Sequence, residues 1–172
     1  QYSDNVSKLQ TRSQAIYSAT SQLKKMTDRA SELATMANSI RTADDYAAYS
    51  SEVDQLLENS IALANSKHDS ESLFGGTSGV DVAFEAVRDA DGKITSVAYK
   101  GNSKVRQMDI ASGVSFSIDV PGANESSSGP RGLLKDERAG IDDFGHLIAL
   151  RDSLKKGDKT AIPDISASLV KD

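Results

Sequence analysis

Three stretches of this sequence carry residues whose types and spacing suit chemistry. The first is "LFGGTSG" (73–79), where Gly75, Gly76 and Gly79 follow a long stretch without glycine or proline. Such a loop cradles phosphate when it runs from strand to helix and ends in Lys-Ser or Lys-Thr. Here no Lys follows, and the order reads helix, loop, strand. The second is "VRDADGKITSVA" (87–98), which sets Asp89, Asp91, Gly92 and Ile94 at the third, fifth, sixth and eighth places of a calcium loop. Its first place is Val87 and its twelfth Ala98, so the first ligand and the bidentate carboxylate are both missing. An Asp-Gly hairpin turn accounts for the same residues. The third is the pair of histidines. His68 stands beside Asp69, and His146 follows Asp142 by four residues, which puts Asp142 and His146 on one helical face. Two metal ligands are then available, but spacing sets no third. No Gly-x-Ser-x-Gly elbow occurs. The reading adopted is that both histidines are ordinary surface or edge residues, with no cofactor, no metal and no enzymatic activity.

Bulk properties narrow the partners. The 172 residues carry a formal net charge of −5, with 26% charged and 38% hydrophobic residues. An acidic balance disfavours nucleic acid, which needs clustered Lys and Arg. No apolar run is long enough to cross a bilayer, and no signal-peptide core opens the chain. The absence of Cys removes disulfides, zinc–thiolate sites and thiol catalysis. Aromatics make up 5% and Trp is absent, which suits an elongated shape better than a large core.

The elements that would position these residues follow from periodicity. Residues 1 to about 40 read as one helix of roughly 60 Å. Leu9, Ile16, Leu23, Ala30 and Ala37 recur every seven residues. Tyr2, Val6, Ser13, Thr20, Thr27 and Ala34 fill the other seam position, and Met26, Leu33 and Ile40 add a row beside them. Gln1 already lies within this pattern, so the chain is expected to be a fragment of a longer one. Thr42 with Asp45 reads as a capping box, opening a second helix over about 43–67. Its apolar face is Tyr49, Val53, Leu56, Leu57, Ser60, Leu63 and Ala64. The short link makes the two helices antiparallel neighbours. After Gly75 the period becomes alternating: 80–87 and 93–100 form one hairpin, 104–110 and 114–120 a second. Residues 121–132 read as loop. From about 138 Ile141, Phe144, Leu147, Ile148, Leu150 and Leu154 give a further helix, stopped by Gly157, and Asp158 caps a last segment.

The expected fold is therefore α+β: an elongated antiparallel helical rod with a small antiparallel β domain inserted in it. Residues 1–75 plus 133–172 make the rod, and 76–132 the insertion. Rod packing is assigned to Leu9, Ile16, Leu23, Leu33, Val53, Leu56, Leu63, Phe144, Leu147 and Leu150. Phe74, Gly75 and Gly76 form a flexible seam between the two parts. Replacing 77–131 by a short linker is expected to leave a helical rod, and the isolated chain is expected to be a monomer.

Several stretches resemble one family. "EVDQLLENSIALANSKHDSESLFGGT" (52–77) is similar to the second rod helix and exit loop of the flagellar hook-associated protein 3 family. "DRASELATMANS" (28–39) resembles the end of the first rod helix, a segment shared with flagellins. Residues 99–122 look like the family's second β hairpin, and 144–162 like its returning helix. The most specific match is Leu73-Phe74-Gly75-Gly76; flagellins usually have an Asn-rich exit there. The resemblance implies a structural protein with no active site, exported unfolded without a cleaved signal and aided by an export chaperone. It implies an extracellular place at the hook–filament junction, between hook-associated protein 1 and flagellin, beside neighbouring copies of itself. It also implies that helices of the inner tube lie outside this fragment. Arg29, Glu32 and Leu33 match the shared segment and form a candidate assembly surface. Many flagellins present that segment to an innate immune receptor, but Ser31 stands where they usually have Arg, so that recognition is not carried over. A flagellin-like filament subunit is the alternative reading, and a calcium-binding surface module a more distant one.

Overall fold

The recurrence of Leu9, Ile16 and Leu23 decides which side of the first helix is buried. In the computed structural model, which describes residues 2–172, α1 (Tyr2–Ala37) has 36 residues, about 54 Å of helix. Gln1, which the heptad reading included, lies outside the described residues. The buried stripe of α1 is Leu9, Ile16, Ala19, Leu23, Ala30, Leu33, Ala34 and Ala37. The second expected seam row stays largely open. Tyr2, Val6 and Ser13 are exposed, Thr20 and Thr27 are half-buried, and only Ala34 of that row is buried. Length explains this. Helix α2 (Ala43–Ala64) has 22 residues, about 33 Å, and cannot cover the whole of α1. Ile40, assigned to a packing row, is 95% exposed. The helix ends before it, where the Arg41 guanidinium donates from Nε to the Met36 carbonyl at 2.8 Å.

The capping box forms as read. Asp45 N donates to Thr42 Oγ1 at 3.1 Å, and Thr42 N donates to Asp45 Oδ2 at 2.9 Å. That backbone N–H lowers the pKa of the Asp45 carboxyl. The buried face of α2 is Tyr46, Ser50, Val53, Leu56, Leu57, Ser60, Ile61 and Ala64. Tyr49 and Leu63, both assigned to this face, are only half-buried. Tyr46 is the inward tyrosine, and its hydroxyl donates to the Ala37 carbonyl at 3.1 Å. With Arg29 meeting Glu52 further along, the two helices run antiparallel.

Helix α2 stops short of residue 67 because Lys67–His68 (β1) pairs antiparallel with Glu71–Ser72 (β2). Asp69 and Ser70 turn the chain at φ +49° and +65°. That pair of left-handed residues is normally Asn-Gly or Asp-Gly, so no glycine marked this hairpin. The two expected hairpins are present but shorter: β3 (Phe84–Arg88) with β4 (Ile94–Tyr99), and β5 (Met108–Ala111) with β6 (Val114–Phe116). A further sheet was not foreseen. Ala123–Asn124 (β7) runs parallel to Lys135–Asp136 (β8), which pairs antiparallel with Ile141–Asp142 (β9). Two-residue strands show no alternation, and β9 occupies positions read as helix. Helix α3 (Asp143–Lys156) ends at Gly157, whose φ of +66° is a left-handed cap. Helix α4 (Ile162–Leu169) folds back on α3 and α1.

The core is α+β. Leu57 on α2, Phe74 after it, Leu147, Leu150 and Leu154 on α3, and Ile162 on α4 are each fully buried. Phe84 and Ile94 from the β3–β4 hairpin belong to the same apolar cluster. Leu23→Ala and Leu147→Ala should each cost about 2–5 kcal/mol, as truncations that leave cavities do. Chemical denaturation measures this, and losses under ~1 kcal/mol at both sites, within the range of surface changes, would refute the assigned stripe.

Candidate assembly surface

The residues flagged for chemistry are held by the fold in other roles. Asp89 folds back on its own turn, accepting at Oδ1 from Asp91 N at 3.0 Å and Lys93 N at 2.9 Å. That is the hydrogen bonding of an Asx turn, not a carboxylate facing a cation. His68 lies in β1, with Nε2 3.6 Å from Asp69 Oδ2 on the surface. Asp142 and His146 are not joined into a ligand pair. Asp142 caps α3 by accepting from Gly145 N at 3.1 Å, while His146 Nδ1 meets Asp172 Oδ2. Among the described residues no group of three or more His, Cys, Asp or Glu is arranged to hold a metal ion.

The glycine loop is filled by protein. A Cβ on Gly76, whose φ is +68°, would lie 2.2 Å from the Asn102 carbonyl oxygen. Asn102 N donates to the Gly75 carbonyl at 3.1 Å, and Thr77 N donates to Asn102 Oδ1 at 3.0 Å. The Tyr99 hydroxyl and Gly122 N both donate to the Phe74 carbonyl, at 2.7 and 2.8 Å. Phe74 itself is fully buried.

Arg29, Glu32 and Leu33 divide between two environments. Arg29 bridges α1 and α2, donating from Nε to Glu52 Oε1 at 2.7 Å and from Nη1 to Glu32 Oε2 at 2.9 Å. Its pKa is raised by the bond to Glu52 first and Glu32 second. Leu33 is fully buried in the core. It therefore offers no side chain to a neighbour, and its place in the candidate surface is corrected. What remains exposed is a charged pair already bonded within the chain.

Beside this segment a groove of about 1120 Å³ runs between α1 and the end of α4, walled by Leu23, Met36, Leu133, Leu134 and Leu169. Asp143 also lines it and is 2% exposed. Its Oδ1 accepts from Thr27 Oγ1 at 2.9 Å, and its Oδ2 has no partner. Burial pushes this carboxyl up to about 6, with the Asp172 and Asp142 charges adding and the Thr27 hydroxyl and His146 opposing.

Sequence reasoning passed over two side chains that hold the fold. Arg151 is 2% exposed and reaches three acceptors: Asp54 Oδ1 at 2.9 Å, Asp152 Oδ1 at 3.1 Å and the Ile94 carbonyl at 2.6 Å. A signal was available, since Arg151 falls at the apolar spacing of Leu147 and Leu154. Asn65, just beyond α2, acts as a strand partner: Phe84 N donates to its Oδ1 and its Nδ2 donates to the Phe84 carbonyl, both at 2.8 Å. No motif announces that role.

The architecture defines an α+β helical-rod protein carrying inserted hairpins. That architecture is shared with solved structures of FlgL and of a flagellar hook-associated protein. Xanthomonas campestris FlgL is 28% identical over 70% of this chain with a TM-score of 0.62, and this chain spans 38% of its length. Bacillus cereus FlgL matches 99% of this chain and 74% of its own at a TM-score of 0.72 and 18% identity. A Vibrio parahaemolyticus structure assigned to the flagellar hook-associated proteins matches 99% of this chain and 75% of its own, at 0.67 and 16%. No protein-family model matches the chain, and no curated protein matches it in sequence.

The buried Asp143 makes a prediction about pH. Its folded-state pKa of about 6 lies above the ordinary value of 3.8. The folded state therefore holds a proton between those values that the unfolded state releases, and this group lowers stability as pH rises through that window. Asp143→Asn should remove about 2–3 kcal/mol of pH dependence between pH 4 and 7. Denaturant melts of both chains across that range test this; parallel stability curves for the two would contradict it.

Proposed function

We propose that this chain is the rod and inserted part of a hook-associated protein 3, a structural component of the junction between the flagellar hook and its filament. One pairing carries the reading: 28% identity to X. campestris FlgL over 70% of this chain, with the fold of B. cereus FlgL over 99% of it. The partners are hook-associated protein 1 on one side, flagellin on the other, neighbouring copies laterally and an export chaperone before assembly. The place is extracellular, reached by export without a cleaved signal peptide, and the role is mechanical rather than catalytic.

Within this reading, residues 1–75 and 133–172 form the rod, 76–132 form the outward insertion, and Phe74, Gly75 and Gly76 mark the boundary. The rod packs through the residues assigned to it from the sequence, Leu63 contributing least. Arg29 and Glu32 lie on the flank offered to neighbouring copies. Lateral contacts of this kind are polar and individually weak, and they gain strength from many linked contacts in register. The acidic net charge of −5 fits a subunit that stays apart in solution.

Deleting the gene in the parent bacterium should leave hooks without filaments, with flagellin released into the medium. Re-expression of the full-length protein should restore filaments. Normal filaments in the deletion strain would overturn the proposal, as would a loss of filaments with no flagellin released, which would make this chain the filament subunit.

A further inference from the structure

The Gly75–Gly76 boundary carries a device that the sequence reading took for flexibility. We propose that this boundary is a lock rather than a hinge, so that the β3–β4 hairpin and the helical rod move as one body. This inference concerns the fold and does not depend on the flagellar reading.

Contacts at both ends of the hairpin support it. At the end of α2, the Asn65 side chain makes the two 2.8 Å bonds to the Phe84 backbone that a neighbouring strand would make. At the far end of the hairpin, Arg151 Nη2 on α3 donates to the Ile94 carbonyl at 2.6 Å, and Ile94 is fully buried. Lys93 at the same end pairs with Asp152 on α3 at 2.6 Å. At the Asn65 end, the Phe84 ring also lies 5.2 Å edge-on to Phe144 on α3, and 4.9 Å from Tyr99 within the hairpin. The hairpin is thus tied to α2 and α3 at one end, through Phe84, and to α3 at the other, through Lys93 and Ile94.

The glycines themselves are pinned. The carbonyls of Phe74 and Gly75 accept from Tyr99, Gly122, Asn102 and Ser78. Asn102 fills the space that a side chain at position 76 would need. A hinge requires a few residues free to absorb φ/ψ change. Here a rotation at Gly76 would break the Asn102 contacts, withdraw Ile94 from the core and leave the Arg151 charge without its carbonyl. A buried donor and carbonyl left without each other are disfavoured even while Asp54 and Asp152 keep the charge paired, so the opened state is sparsely populated.

Native-state hydrogen exchange on this chain reads the lock directly. The amides of Phe84, Asn102, Gly122 and Leu134 all donate between the rod and the insertion. They should be protected to within about tenfold of the core amides of α2 and α3, and should share their denaturant dependence, as members of one cooperative unit do. Asn65→Ala and Arg151→Met should each speed exchange at these four amides by about tenfold or more, ahead of the helices. Four amides exchanging about a thousandfold faster than the helices in the unaltered chain, with no denaturant dependence, would mean local opening at a hinge. Unchanged protection in Asn65→Ala would likewise overturn the proposal, and that variant serves even if Arg151→Met fails to fold.

Discussion

The guanidinium of Arg151 lies where α2, α3 and β4 meet, and its position constrains everything around it. A cation with a side chain 3% exposed has lost its water, and the loss of hydration must be offset by acceptors held in place. Two carboxylates and the Ile94 carbonyl supply them. The contributions differ in kind. Asp54 is 45% exposed, so that ion pair is screened and contributes modestly. The carbonyl bond is fully buried, and leaving either partner unmet would cost more than the bond itself contributes. The same residue accepts through its own carbonyl from Ser50 Oγ at 2.9 Å. Helix α3 is therefore fixed in register against α2 by one backbone atom, and against the hairpin by its side chain.

Given that register, the remaining packing is one-sided. Helix α1 buries leucines and alanines against α2, α3 and α4 and leaves a polar flank outward. Two half-buried hydroxyls at its edge are met internally: Thr20 Oγ1 donates to the Ile16 carbonyl at 2.8 Å and Thr27 to Asp143. The N-terminal half of α1 runs past α2 and is braced by the β part instead. Asn5 donates to the Asp109 carbonyl at 2.8 Å, and Arg12 pairs with Asp119 at 2.6 Å, a bridge whose two side chains are 11% and 7% exposed. A second buried acid, Asp136, fixes the 131–138 loop. It accepts from Arg138, Arg131 and Gly132 N, and the Arg138 bond leads in holding its carboxyl far below the usual range. That arrangement is favourable above the ordinary carboxylate pKa and is lost only as strong acid protonates it.

What the sequence made legible follows the length of each signal. Long heptads and a capping box placed α1 and α2 closely, and the Leu147–Leu154 spacing with Gly157 placed most of α3. Asp-Gly located the β3–β4 turn. The small sheet of β7, β8 and β9 was invisible because two residues per strand cannot alternate, and β1–β2 was hidden because Asp69 and Ser70 take glycine's conformations. The second heptad row of α1 misled for a different reason: periodicity reports which residues could face a partner, not whether one is present. The spacing of Arg151 with Leu147 and Leu154 marks it as buried, but its acceptor at Ile94 lies 57 positions away, and Asn65 meets Phe84 19 positions away, so neither role is local in the sequence. Gly75 and Gly76 read as a flexible seam, but the freedom of an isolated Gly-Gly says nothing about what packs on it, and here Tyr99, Asn102 and Gly122 bond to that stretch.

The flagellar reading joins these features into one account: a stiff rod with a locked outward hairpin suits a subunit that carries load between two different tubes. Immunogold labelling of isolated flagella with antibody raised against this chain tests that account most directly. The account predicts gold confined to a short band where hook meets filament. Label distributed along the filament would identify a filament subunit instead, and intact flagella without label would contradict the flagellar assignment altogether.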